Sequence, residues 1–237
     1  MVARDDFSDY PDAAKSLPSI GGSSGNYNLE AIVALKPDLV LAAQINTAAQ
    51  VKSLQDRGIT VFYLNNPTDF NSLYQNIQTV GQLTGKTADA AALVASLQAR
   101  VKAVTDKLAS VTTQPKVYYE LDATDPTNPY TSGPGTYIDM LIKMAGGQNI
   151  GSSLTSAYAQ ISSEQVVNAN PDFILLGDAA YGVTVASVGQ RAGWANITAV
   201  KNNQVVAFDD NTVSRPTARL VDALENIAKL IHPEAFK

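Results

Sequence analysis

A chain of 237 residues, 45% hydrophobic and only 16% charged, holds enough apolar material for one large core or two small ones and is too apolar for disorder. Its formal net charge is −5 and it has no Lys/Arg cluster, so it lacks the basic footprint that a nucleic-acid partner needs. The absence of cysteine excludes disulfides, thiolate metal sites and cysteine nucleophiles, and the single histidine, His232 near the C-terminus, argues against a histidine-built metal site or a Ser-His triad.

The chain opens on MVARDDFSDYP, a polar stretch that offers at most the stub of a strand. It is not a signal peptide, so either the protein is cytosolic or a leader was removed ahead of this numbering. From Glu30 to Leu64 the order reads helix, strand, helix, strand: LEAIVALK, PDLVLA, TAAQVKSLQDRG and ITVFYL. Short aliphatic strands alternating with helices favour parallel sheets covered by helices. DFNSLYQNIQTVGQLTG then reads as a helix closed by Gly85. KTADAAALVASLQARVKAVTDKLASV reads as a second and longer one, with Thr87 as its N-cap. Leu93, Leu97, Val101, Val104, Leu108 and Val111 recur at helical spacing as one apolar stripe. Roughly 25 helical residues at 1.5 Å each span about 37 Å, a stiff strut on the scale of a small domain.

Strand PKVYYELD (115–122) follows, then the loop ATDPTNPYTSGPG and helix TYIDMLIKMAGG, with Thr136 as N-cap and Gly146–Gly147 as a left-handed stop. SEQVVNAN, PDFILLG, a helix-like stretch through 184–191 and QVVAF repeat the helix–strand alternation. PTARLVDALENIAKLI (216–231), with Pro216 in its first turn, is the last helix. No run of 18 apolar residues occurs to form a membrane span.

One repeat organises these pieces. NLEAIVALKPDLVLA (28–42) recurs in altered form as SSEQVVNANPDFILL (162–176), pairing Glu30 with Glu164, Pro37 with Pro171 and Asp38 with Asp172. Each copy is a short helix with a Glu in its first turn, a Pro-Asp turn and a buried strand. The repeat implies two similar α/β lobes, with the boundary between them inside the long helix.

The pattern of Glu30 before KPDLVL, the long linking helix, YTSGPGTYIDMLIKMAGGQNI, SSEQVVNANPDFILL, GWANITAVKNNQVVAF and RPTARLVDALENIAK resembles the substrate-binding proteins of the helical-backbone type, class III, that serve ABC importers. These proteins deliver ferric siderophores, haem or cobalamin. The resemblance runs from about Asp5 to Lys229 and implies two Rossmann-like lobes with mostly parallel sheets, joined by a rigid backbone helix. On this basis the N-terminal lobe is 1–85, the backbone helix 86–112 and the C-terminal lobe 113–237. The first lobe is expected to want the strand and helix with which family members begin. The resemblance also implies a non-enzymatic, extracytoplasmic protein, periplasmic or lipid-anchored on the outer face of the cytoplasmic membrane. Its partners would be the permease subunits and an iron or cobalt chelate held between the lobes, with no cofactor of its own and contact with the membrane only through an anchor or the permease.

By the same resemblance Glu30 and Glu164 dock onto permease arginines. Read without it, a Glu in a first helical turn simply complements the helix dipole. The rim loops 5–11, 43–50, 65–69, 122–133, 177–182 and 209–217 gather Phe7, Tyr10, Tyr130, Tyr181 and Arg215, a mixture suited to a large, partly apolar chelate. Half-buried packing accounts equally well for the tyrosines, and Arg215, next to Pro216, also reads as a residue that starts a helix. Trp194 reads as packing at the base of a lobe. Ferric siderophore and cobalamin are the leading ligands. Haem follows them, because only His232 could join a tyrosine as axial ligand. GGSSG (21–25) and SGPG (132–135) read as turns rather than phosphate loops, and Asp122, Asp125, Asp209 and Asp210 as turn residues rather than a hydrolytic cluster. The alternatives are an α/β enzyme or a ligand sensor using the same loops.

Overall fold

The computed structural model describes residues 1–22 and 25–237; Ser23 and Ser24, in the middle of GGSSG, lie outside the described residues. The chain divides into two compact units, Met1–Asn66 and Pro67–Lys237.

The first unit holds α1 (Leu29–Ala34), β1 (Val40–Ala43), α2 (Ala48–Gln55) and β2 (Val61–Leu64). β1 and β2 pair in parallel, Val40 opposite Val61 and Ala43 opposite Leu64. Thr47 and Gln50 cap α2 reciprocally, each side chain accepting from the other's backbone N–H. Ahead of α1, Asp5 Oδ1 accepts from the backbone N–H groups of Phe7 and Ser8, folding the N-terminal segment into an Asx turn.

The second unit begins with α3 (Phe70–Leu83) and α4 (Thr87–Leu108). Gly85, at φ +70°, turns the chain between them as expected. Thr87 is the first helical residue of α4 and not its cap; Lys86 stands at the cap position and its side chain makes no capping bond. Of the expected stripe, Leu97 and Val104 are fully buried, and Val101 and Leu108 pack at the margin of the core. Leu93 is exposed and Val94 takes its place inside. α4 lies against α9 (Leu220–Ile231), where Arg100 bonds Asp222 at 2.6 Å and Glu225 at 2.8 Å. By packing, α4 belongs with the C-terminal unit, and the unit boundary falls at 66/67.

The remaining elements are β3 (Lys116–Asp122), β4 (Tyr130–Ser132), α5 (Tyr137–Met144), β5 (Gln148–Asn149), β6 (Tyr158–Gln160), α6 (Ser163–Ala169), β7 (Phe173–Leu176), α7 (Val185–Val188), α8 (Thr198–Lys201) and β8 (Val205–Ala207). The sheet order is β6-β4-β3-β7-β8. β3, β7 and β8 run parallel, β4 runs antiparallel to both its neighbours β3 and β6, and β5 pairs in parallel with the start of β3. Both faces are covered, because successive strand residues point to opposite sides. Val117, Tyr119 and Leu175 join one core with α4, α5 and α9. Tyr118, Ile174 and Leu176 join another with Val166, Val188, Trp194 and Ile197. Such two-sided burial is what the continuous apolar run FILL requires.

Thr136 caps α5 by accepting from the Asp139 N–H, and Gly146 follows at φ +84°. The last helix starts at Leu220 and not at 216: Pro216 lies in the loop ahead of it.

The repeat survives in three dimensions. α1 is capped by Asn28 and α6 by Ser162, each accepting from the N–H three residues on. Ile32 and Val166 are the buried residues at matching positions. Lys36 (φ +46°) and Asn170 (φ +49°), aligned in the repeat, are both left-handed and turn the chain toward its strand.

Candidate functional site

Because β3, β7 and β8 are parallel, the loops after them emerge along one edge of the sheet, where α/β proteins place their ligands. These are the expected loops 122–133, 177–182 and 209–217. Asp122 accepts from the Thr124 N–H and Asp125 from the Thr127 N–H, and bonds to these threonines hold both carboxyls below their usual range. Asp209 likewise caps the turn at Asn211 and bonds Arg219 at 2.8 Å. The aspartates are turn residues, and among the described residues no cluster of three or more His, Cys, Asp or Glu could hold a metal.

Behind the turns lies a buried polar layer that the rim residues rest on. Tyr119 donates its hydroxyl to Asp210 at 2.8 Å, and Asp210 also accepts from Ser214 Oγ. Burial, with the nearby Asp210 charge, pushes the Tyr119 phenol well above its ordinary pKa. Its ring passes so close to the turn after β7 that a Cβ on Gly177 would sit 2.5 Å from the hydroxyl oxygen, which explains the glycine there.

Glu120, fully buried in β3, receives both terminal nitrogens of Arg191, at 2.5 and 2.8 Å. The fork satisfies both carboxylate oxygens with parallel bonds. Tyr118 adds a longer contact to Oε2 at 3.3 Å. Arg191 in turn lies over the indole of Trp194, 4.6 Å from the ring centroid, and Tyr118 meets that ring edge-on at 5.9 Å. Trp194 is wholly buried and donates Nε1–H to Ser163 Oγ at 2.6 Å, so its place is at the base of the second core, as expected. Beside this pair Asp178 is 3% exposed. Its Oδ2 accepts from the Ala123 N–H at 2.9 Å, while Oδ1 is buried with no partner among the described residues. Burial, then the Glu120 charge, pushes its carboxyl up to about 6.

The aromatic candidates Tyr130 and Tyr181 are exposed on this rim, Tyr181 at the end of the 177–181 turn with 86% of its surface open. Arg215 is half-buried beside Pro216, in the loop after β8. In the first unit Phe7 and Tyr10 are exposed on the N-terminal segment. Glu30 and Glu164 are exposed in the first turns of α1 and α6. His232 is buried at the end of α9, against the Gly146 carbonyl at 3.3 Å, and is not on the rim. SGPG leads into the capped start of α5, a turn as read.

Glu120, Asp178 and Arg191 do not stand out in the sequence. A charged residue inside the apolar strand KVYYELD is the one signal it offers: a buried strand tolerates a carboxylate only with a partner.

Comparisons with known proteins agree with this architecture. Residues 1–212 match the family model described as periplasmic binding protein. The chain is 31% identical to an ABC transporter substrate-binding lipoprotein, YvrC, of Bacillus subtilis, over 96% of this chain and 72% of that protein. It is 35% identical to a cobalamin-binding protein of Halobacterium salinarum, over 94% of this chain but only 60% of that one. Among solved structures, the periplasmic vitamin B12-binding protein BtuF of Vibrio cholerae is similar with a TM-score of 0.81 at 26% identity, covering 100% of this chain and 89% of that one. The periplasmic heme-binding protein RhuT of Roseiflexus sp. RS-1 gives 0.86 at 25% identity, covering 99% and 90%. With an α/β fold, the repeated helix–turn–strand unit and a family match over most of its length, the chain belongs to the periplasmic binding protein family.

Proposed function

We propose that this protein is the extracytoplasmic substrate-binding component of an ABC importer and carries a metal chelate of the cobalamin or ferric siderophore kind to its permease. The observation that carries the reading is the repeat: each unit contains the same capped helix, left-handed turn and strand, with an exposed carboxylate in the first helical turn. Two carboxylates on separate units suit a dimeric permease that offers a cation to each. Complementary charge of this kind fixes register and speeds encounter more than it adds affinity. The relatives named for cobalamin and B12 favour a corrinoid, and the exposed aromatics of the rim suit its broad apolar faces. The resemblance to heme-binding proteins keeps haem as a further ligand, although His232 is buried away from the rim.

The chelate would contact Tyr130, Tyr181 and Arg215 in the C-terminal unit and Phe7 and Tyr10 in the N-terminal one. In this assignment residues 86–112 serve as the stiff backbone element, packed within the C-terminal unit that begins at Pro67.

Charge reversal tests the docking role. Glu30→Arg combined with Glu164→Arg should reduce uptake in cells at least tenfold, while cyanocobalamin or ferric siderophore binds the purified protein with unchanged affinity. Lost affinity would move both residues into the ligand site, and unchanged uptake would remove them from docking.

A further inference from the structure

We propose that Asp178 is a positioning residue of the binding rim: it clasps the loop leading to Tyr130 to the turn carrying Tyr181, closed as a neutral acid and loosened when the acid ionises. The proposal rests on Tyr130 and Tyr181 touching the chelate.

The clasp is a single side chain between two loops. Asp178 sits in the turn Gly177–Tyr181, three residues before Tyr181 and just after β7. Its Oδ2 takes the N–H of Ala123, the first residue beyond β3, in the loop that runs to Tyr130 at the start of β4. The two loops follow neighbouring parallel strands, so this bond closes the rim directly above the β3–β7 pair. Gly177 adds a constraint of its own, because Tyr119 fills the space a side chain would need there.

The surroundings decide which protonation state the clasp favours. From β3 come Glu120, fully buried, and the phenol of Tyr118. From the segment after α7 comes Arg191, whose two terminal nitrogens are both committed to Glu120. Also from β3 comes the phenol of Tyr119, which packs against Gly177 and donates to Asp210 of the loop after β8. Asp178 is thus a second carboxyl beside one that already holds the guanidinium, and its Oδ1 has no hydrogen-bond partner among the described residues. An ionised carboxylate would grip the Ala123 N–H more strongly, but burial and the Glu120 charge outweigh that gain, and the carboxyl is pushed up to about 6.

A clasp that opened would hydrate Asp178 and return it to the ordinary carboxyl range near 4. The closed state therefore keeps its proton through a window in which the open state has lost it. Opening becomes progressively easier as pH rises from about 4 to about 6, by up to roughly a hundredfold, and changes little above that. The rim would be firmest toward pH 4 and looser at neutral pH.

Hydrogen exchange of the Ala123 amide in the full chain reads the clasp without any ligand. Protection, corrected for intrinsic exchange, should fall by about tenfold between pH 5 and pH 7.5. Asp178→Asn, which keeps an acceptor for Ala123 but cannot ionise, should abolish the fall. Glu120→Gln, which removes the neighbouring charge, should move the midpoint to lower pH. Flat protection in the unaltered protein, or an Asp178→Asn variant that follows it, overturns the proposal. Cyanocobalamin, whose charge is constant over this range, then reads the consequence: its affinity should weaken toward pH 7.5, and Asp178→Asn should flatten the profile. A pH-dependent clasp with pH-independent cyanocobalamin affinity would refute the positioning role. Failure of cyanocobalamin, a ferric hydroxamate and haemin all to bind would refute the proposed function, and the exchange data would still decide the clasp.

Discussion

Replacing Arg191 with methionine tests the buried layer beneath the rim. Methionine keeps most of the side chain's length and its contact with Trp194 but removes the charge. Glu120 is fully buried, so the change strands a carboxylate inside the second core with Asp178 beside it. Removing one member of a buried pair in this way costs about 3–5 kcal/mol. Loss of the guanidinium over the Trp194 ring, 4.6 Å away, adds about 1 kcal/mol. Against a total stability of roughly 5–15 kcal/mol the variant is marginal, and Tm should fall by about 10 °C or more. Urea unfolding followed by far-UV circular dichroism at pH 7.5 measures the loss. The double change Glu120→Leu with Arg191→Met should be far milder than either single one, since no ion of the pair is then left alone. A loss under about 1 kcal/mol for Arg191→Met, or a double variant no better than the single, would show that the pair is hydrated and refute the argument.

Two further outcomes follow from local geometry. Gly177→Ala should cost about 1–3 kcal/mol, because the new methyl meets the Tyr119 oxygen at 2.5 Å. Adding Tyr119→Phe should recover only part of this, as the ring carbons lie at 2.7 and 2.8 Å; full recovery in denaturant unfolding would mean that the hydroxyl alone sets the constraint. Lys36→Gly should stabilise the protein by about 0.5–1 kcal/mol by relieving a left-handed residue that carries a side chain. A lower unfolding midpoint would show instead that the Lys36 side chain contributes more than its backbone conformation costs.

Periodic features of this chain are legible in its sequence. The alternation of helices and strands, the cap at Thr136 and the stop at Gly146 all follow from local chemistry that a few adjacent residues carry. The repeat places Glu30 and Glu164 on matching helices, and a left-handed residue follows the helix in both copies. Boundaries are less legible. Thr87 and Pro216 have the chemistry of a cap and a first turn, yet the helices begin at Thr87 itself and at Leu220. Leu93 and Val94 exchange places because the stripe must follow the surface it packs on, which sequence spacing does not reveal. The polar layer is hidden for a different reason. Glu120 and Arg191 are 71 residues apart and meet only once β3 and the segment after α7 are brought together by the sheet. No short-range pattern encodes such a meeting.

Arg100 gives α4 a further property. Its guanidinium reaches Asp222 and Glu225, which sit nearly one turn apart on α9. An apolar stripe alone would let one helix roll or slip along another by a turn, about 5.4 Å, and find similar side chains again. A cation placed between two anions on successive turns has no equivalent seat one turn away. Arg100 therefore works as an index pin: its contribution to stability is modest, but it leaves α4 a single phase against α9. A load applied near Thr87 would then pass to α9 as torque, not as slip.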